Sequence, residues 1–336
     1  MTTVVGIDLG GTKVAAATLQ AEVTDPHQGA NLGGPCQHPT KLSSTGELID
    51  QLVEIIAEAR ADAEVDAVGI GVPSIVEFAT GRVVSSVNIP LADVPLREVL
   101  GGRVGVPVFV DNDATVAALA EAHDEQLNLV SENLVMLTIG TGVGGGIVVG
   151  GRIFRGATGG AGELGHTLIG LDLTGDGALG DVPAAGEQFP QPGSLEAFAS
   201  GHALDHLADA VVAGYPDSEL ARKATAGGPI RGADVVAAYR DGDGAAQAAV
   251  RRWAHAIGIG IANVVNTFDP GEVVIGGGAA AAGELLLGPA QEIAEGYIVP
   301  GLRGHVRVRF ARFGARAGVL GAALLALHEL RDSAGR

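Results

Sequence analysis

A β-type run that breaks on a glycine-threonine turn and then resumes occurs twice in this chain. GIDLGGTKVAAATL occupies 6–19 and LTIGTGVGGGIVVG occupies 137–150. Each reads as a strand, a tight glycine-rich tip and a return strand, and together they form a loose internal repeat. A second unit therefore opens near residue 133. The length of 336 residues agrees, because it exceeds what one hydrophobic core usually supports.

The segments between the repeats alternate strand and helix patterns. GELIDQLVEIIAEARADA (46–63) carries apolar residues at 48, 49, 52, 55 and 56, a helical stripe. AVGIGV (67–72) and PVFVDN (107–112) read as buried strands, RVVSSV (82–87) as the return arm of a hairpin, and 113–123 as a helix that Asp113 opens or caps. After residue 193 the pattern is mostly helical, with strands at 272–278 and 305–313 and a closing helix at 318–331. Residues 170–192 lack periodicity and read as a long loop, a kind that is usually functional or mobile.

Composition narrows the function. Hydrophobic residues make up 47% and charged residues 18%, which suits a compact globular chain. The formal net charge of −18 opposes nucleic-acid binding, where a basic footprint supplies most of the affinity. It leaves anionic ligands open, because backbone N–H groups bind phosphate without side-chain charge. A single cysteine, Cys36, rules out an intramolecular disulfide and a site of several thiolates. The amino terminus lacks a signal-peptide pattern and no apolar run is long enough to span a bilayer, so the reading is a soluble cytoplasmic protein without membrane partners.

Three glycine turns follow strands: DLGGTK (8–13), IGTGVGGG (139–146) and GGGAA (276–280). In the first, Gly10 and Gly11 would allow positive φ, and Thr12 and Lys13 would offer donors to phosphate oxygens. The third lies between a strand and a helix, where backbone and dipole receive a nucleotide. Neither a Walker A pattern nor a dinucleotide fingerprint stands at residue 8. Asp8, one residue before the first glycines, is placed to hold Mg²⁺ through water beside phosphates. In VDNDAT (110–115), Asp113 is either a helix cap or a general base for phosphoryl transfer, and both roles can hold at once.

These motifs together resemble the ROK family of sugar kinases, and bacterial glucokinases within it. GIDLGGTK resembles its first phosphate motif, VDNDATVAALAEA its catalytic segment, LTIGTGVGGGIVVGGRIFRGATGGAGELGH its signature, and NVVNTFDPGEVVIGGG its adenosine-side motif. The resemblance implies an α/β fold of two RNase H-like, actin-like ATPase domains with an interdomain cleft. Residues 1–115 plus 317–332 would form the small domain and 116–316 the large one. It implies ATP- and Mg²⁺-dependent transfer to the 6-hydroxyl of a hexose, most often glucose, by a homo-oligomer. Asp113 would be the base, and Asn88, Asn112, Glu163, His166 and Glu196 would contact the sugar. Gly10, Gly11, Thr12, Lys13, Thr141, Gly142, Gly276 and Gly277 would hold the nucleotide.

The chain departs from the family pattern at one place above all. In typical members the histidine of G-E-x-G-H joins three cysteines around a structural zinc. Those cysteines are absent, Ser194 stands at the position of the last one, and no structural zinc is expected. Asp172, Asp176, Asp181 and His202 would offer only a harder, oxygen-rich alternative. Smaller departures are Ser74 in place of a common glycine and Asp111 in place of a common glutamate. Alternatives to glucose are N-acetylmannosamine, N-acetylglucosamine, mannose, fructose or allose, and polyphosphate is an alternative donor. A DNA-binding regulator is disfavoured by the charge and by a core strand that starts at residue 3. A sugar-binding protein without catalysis is disfavoured by the retained Asp113.

Overall fold

The computed structural model describes residues 1–21, 31–60, 63–86, 88–170 and 189–334. The chain opens with β1 (Thr2–Leu9), β2 (Lys13–Ala21), β3 (Asn31–Leu32), β4 (Cys36–Pro39) and α1 (Thr45–Arg60). Next come β5 (Ala67–Val72), β6 (Ser74–Glu77), β7 (Arg82–Ser86), α2 (Leu96–Val104), β8 (Val108–Asn112) and α3 (Asp113–Glu121). The second glycine hairpin is β9 (Leu134–Ile139) and β10 (Val143–Val149), followed by β11 (Arg152–Ile153). The helical stretch holds α4 (Leu195–Ala199), α5 (Gly201–Val211), α6 (Glu219–Thr225), α7 (Gly232–Arg240) and α8 (Gly244–Phe268). It is followed by β12 (Glu272–Gly276), α9 (Glu284–Tyr297), β13 (Arg307–Phe310) and α10 (Ala317–Ala334).

One sheet runs β3-β2-β1-β5-β8, with β4 also paired to β2, and another runs β11-β10-β9-β12-β13. In the first sheet β1 and β2 pair antiparallel, while β1, β5 and β8 run parallel. The register sets Asp8 beside Gly71 and Gly71 beside Asp111, so two carboxylates and a glycine share the carboxyl edge of three strands. That edge is where open α/β sheets receive ligands. The expected stripe of α1 is observed: Leu48, Ile49, Leu52, Ile55 and Ile56 are all buried in the core of this sheet.

By packing the chain forms two compact units. The first comprises Met1–Met136, Gly146–Gly162 and Arg312–Arg336, and the second Leu137–Gly145 and Glu163–Ala311. The expected boundary after residue 115 thus moves. The whole of α3 sits in the first unit because it packs on α10: a Cβ on Gly321 would collide with the carbonyl of Val116. Glu121, fully buried at the end of α3, accepts the backbone N–H groups of Arg312 at 3.0 Å and Phe313 at 2.9 Å. These bonds fix the chain just before α10. The helical run after 193 is also broken, because Ser200 ends α4 and caps α5 through Ala203 N–H. Residues 171–188 of the expected loop, with Asp172, Asp176 and Asp181, lie outside the described residues. No described helix is long and apolar enough to cross a membrane.

The last helix lies against the first sheet at backbone distance. Gly6 and Gly69 are register partners on β1 and β5, and a Cβ on either would strike α10 at Val319 or Ala322. Overpacking of this kind costs about 1–3 kcal/mol. Gly69→Ala is therefore expected to lower the unfolding free energy by about that amount, read as a lower urea midpoint at unchanged m. Gly102→Ala, on an exposed turn of α2 with open space around it, is expected to leave the midpoint unchanged or raise it, since alanine is the better helix former by up to about 1 kcal/mol.

Candidate functional site

In the first unit the hairpin tip between β1 and β2 is closed by Gly10 N–H donating to Lys13 O at 2.9 Å. Thr40 braces it from β4's end, with its hydroxyl on Gly10 O at 2.7 Å and its N–H on Thr12 O at 3.1 Å. Thr12 and Lys13 are exposed. Neither Gly10 nor Gly11 has a positive φ, contrary to the sequence expectation. The bonds from Lys13 and Thr40 close the tip without that conformation, and an added Cβ on Gly11 would meet the Cβ of Asn88 at 3.4 Å, an ordinary contact. Asn88 itself is exposed.

Asp8 is the penultimate residue of β1, beside this tip. Burial pushes its carboxyl above the ordinary range, and the Lys13 ammonium pulls it partly back. Among the described residues no hydrogen-bond donor reaches that carboxylate, and the first turn of α10 closes over it. A Cβ on Gly318 would lie 2.5 Å from Asp8 Oδ2, a contact that sequence reasoning missed. A partly buried carboxylate without donors suits a hydrated divalent cation, so the site fits Mg²⁺ held through water.

The edge of β8 carries the next residues. Asn112, not Asp113, caps α3: its Oδ1 accepts Thr115 N–H at 3.1 Å, and its Nδ2 donates to Ser74 O at 3.4 Å. Asp113 is the first helical residue, half-buried, with Oδ1 accepting Ala114 N–H at 2.7 Å. The cap falls one residue earlier because Asn112 keeps the extended conformation of β8 (φ −67°, ψ 146°), as a capping residue must. Asp111 is buried and bonded to Arg155 Nε at 2.7 Å, a pair that no sequence pattern signalled. The hydroxyl of Ser74 is buried with no partner among the described residues.

In the second unit the glycine turn 140–142 is closed by Gly140 N–H on Gly142 O at 2.9 Å, and Gly201 N–H reaches Gly140 O at 2.7 Å. Glu196, in the first turn of α4, accepts Val143 N–H at 2.7 Å through Oε2. Glu163 and His166 meet across a one-turn 3₁₀ helix, Glu163 Oε2 lying 3.6 Å from His166 Nε2. The histidine ring packs edge-on to Phe189, and its Nδ1 is buried without a partner among the described residues. Ser194, at the place of the family's last cysteine, caps α4 by accepting Ala197 N–H at 3.2 Å.

A cavity of about 690 Å³ lies in this unit, lined by Gly140, Thr141, Asp205, Arg231, Gly278 and Ala279 among others. Gly276 and Gly277 are not among its lining residues but lead directly into Gly278 and Ala279, which are. Gly277 has φ 76°, and a Cβ there would strike Ile139 O. The segment that follows is a 3₁₀ turn over Gly278–Ala282, and α9 begins only at Glu284, so no α-helix receives this turn directly. The far wall, from α5 and α7, carried no motif that sequence reasoning could find.

The ROK family profile matches residues 4–329. The chain belongs to the ROK family. It is 33% identical over 327 residues to the glucokinase of Halalkalibacterium halodurans, covering 94% of this chain and 92% of that one. Among solved structures it is similar to a ROK family glucokinase from Streptomyces griseus in complex with glucose and AMPPNP, at 30% identity. The TM-score is 0.75, over 97% of this chain and 99% of that one. The ROK hexokinase from Thermus thermophilus gives 34% identity and a TM-score of 0.76, over 98% and 100%. The α/β fold of two glycine-hairpin units is thus the ROK sugar-kinase fold.

One further cluster lies apart from these ROK motifs. Cys36, His38 and Glu58 bring ligand atoms within 4.8 Å of one another. They are already occupied, His38 Nε2 with Glu58 at 2.8 Å and Cys36 Sγ with Ala16 O at 3.5 Å.

The turn and Glu196 give a direct test. An added Cβ at Gly142 would lie 2.5 Å from Glu196 Oε2. Gly142→Ala is expected to drive Glu196 from the Val143 amide. A hydrogen bond to a charged acceptor is worth about 1.5–3 kcal/mol, so exchange of that amide should accelerate about tenfold or more. Gly140→Ala, in open space, should leave it unchanged.

Proposed function

We propose that this chain is an ATP-dependent hexose kinase that transfers the γ-phosphoryl group to the 6-hydroxyl of a hexose, with glucose the first candidate. The observation that carries the reading is Asp113. It is a half-buried carboxylate on the first turn of a helix, at the carboxyl edge of a parallel strand, in a ROK chain whose relatives include glucokinases.

Asp113 takes the proton of the 6-hydroxyl as that oxygen attacks the γ-phosphorus. Transfer of this kind is mostly positioning and charge stabilisation. Thr12, Lys13 and the glycine backbone of the two hairpin tips supply donors to the phosphates, and Asp8 would hold Mg²⁺ through water, where the ion neutralises charge on those phosphates. The cavity bearing Thr141, Asp205 and Arg231 receives the adenosine, which favours ATP over polyphosphate. Gly276 and Gly277, which lead into the lining residues Gly278 and Ala279, would hold the nucleotide beside it. Asn88, Asn112, Glu163, His166 and Glu196 bind sugar hydroxyls, the buried Nδ1 of His166 being without a partner among the described residues. The proposed setting is the cytoplasm and the proposed assembly a homo-oligomer, which light scattering would size.

A coupled assay with ATP, Mg²⁺ and a panel of glucose, mannose, fructose, allose and the two N-acetylhexosamines tests the activity. Turnover of at least one, glucose foremost, is expected, and none on any sugar would sink the reading. Asp113→Asn should lower kcat by about 10²–10⁴-fold, while calorimetry still detects sugar binding. Near-normal turnover in that variant would remove the base assignment.

We also propose that His166 works without zinc, as Ser194 is already committed to capping α4. Metal analysis of the purified protein should find zinc well below one per chain. Stoichiometric zinc that persists in Cys36→Ser would overturn this, that variant setting aside any zinc held by the cysteine.

A further inference from the structure

Asp111 lies next to the proposed catalytic residues without contacting a reacting atom, and it is only 2% exposed. Its two oxygens face opposite ways in function. Oδ1 accepts the backbone N–H of Asn112 at 2.9 Å, and Oδ2 accepts Arg155 Nε at 2.7 Å. The carboxylate therefore connects the guanidinium to the backbone of the residue that caps α3 and precedes Asp113.

Arg155 is itself fixed from three directions. Its Nε meets Asp111, its second terminal nitrogen reaches Glu329 on α10 at 3.3 Å, and its plane lies over Phe78 with Cζ 3.5 Å from the ring centroid. Phe78, at the tip of the β6–β7 hairpin, also has Arg97 at 5.2 Å, and Arg97 lies 5.8 Å from Phe109 on β8. A planar fork that bonds at its edge and stacks on its face has little freedom left. Breaking a buried ion pair leaves an uncompensated charge, so such a pair holds its geometry firmly.

We infer that Arg155, acting through Asp111, is the positioning residue that sets Asn112 and Asp113 for the phosphoryl-transfer step. The inference rests on the hexose-kinase reading above. Arg155 lies in the segment between β11 and Glu163, so a residue of the family signature would serve the catalytic helix rather than the ligand. Misplacing a reacting group by about 1 Å costs about 10²-fold in rate, which is the scale on which such a residue acts.

Electrostatics supplies a distinguishing signature. Burial raises the Asp111 carboxyl above its ordinary range, and Arg155 lowers it most strongly among the groups opposing that, followed by the Asn112 N–H and Arg97. The charged groups facing this cluster are Arg155, Arg97 and Glu329. Without Arg155 the carboxyl binds a proton at higher pH, and a protonated Asp111 no longer holds the Asn112 amide as a charged acceptor. The acid limb of kcat should then move to higher pH.

The test compares wild type with Arg155→Met, Arg155→Lys and the double variant Asp111→Asn/Arg155→Met. In Arg155→Met kcat should fall about 10- to 100-fold, with KM for hexose and ATP within about threefold, and the acid limb should move up. Arg155→Lys should return the limb towards wild type while kcat stays low, because a point charge lacks the fork. The double variant should show no limb shift. Wild-type kcat in Arg155→Met, or a loss carried wholly by KM, overturns the inference. Amide exchange at 112–115 on the protein without substrates keeps the two readings apart. It should accelerate in Arg155→Met, and unchanged exchange overturns the positioning role even if the wild type phosphorylates no hexose.

Discussion

The first unit depends on a helix resting directly on sheet backbone. Gly6 and Gly69 are neighbours across two parallel strands, and together they clear a shallow floor into which α10 settles. With side chains there, the helix would stand off by the thickness of a methyl group or more, and dispersion contacts along it would be lost. On its other face Gly321 admits the backbone of α3 equally closely. The same helix brings Gly318 to the carboxylate of Asp8, so the amino end of a macrodipole lies beside a negative group, a favourable pairing. Packing and chemistry are set by one element from the far end of the chain.

Three carboxylates in this unit show how differently a withdrawn charge can be met. Glu121 is satisfied by two backbone N–H groups from residues 312 and 313, and its work is structural. Asp111 is satisfied by a guanidinium and by its neighbour's amide. Asp8 has the attraction of Lys13 but no hydrogen-bond donor among the described residues. A charge left in that condition is costly unless a ligand completes it. The contrast separates the carboxylate left open to a ligand from the two that protein groups already satisfy.

Much of this was legible in the chain because its signals are local. The hairpin tips, the α1 stripe at 48, 49, 52, 55 and 56, and the strand edges at 67–72 and 108–112 each follow from short-range periodicity. What escaped depends on contacts between distant residues. Arg155 and Asp111 are 44 positions apart, and Gly318 and Asp8 lie at opposite ends of the sequence, so no window contains either pair. The sequence leaves Asp113 to open or to cap α3; it opens the helix and Asn112 caps it, because both are good capping types and only the strand conformation of Asn112 decides between them. The walls given by α5 and α7 bear ordinary helical residues and become a cavity only when folded.

The contact between Gly142 and Glu196 limits what can stand at the tip of the second hairpin. The missing side chain at 142 is the space that the carboxylate at 196 occupies, so a larger residue at 142 is accommodated when the glutamate swings aside and gives up the Val143 amide. Two positions far apart along the chain thus share one small volume, and the bond that closes the turn exists because one of them leaves it empty.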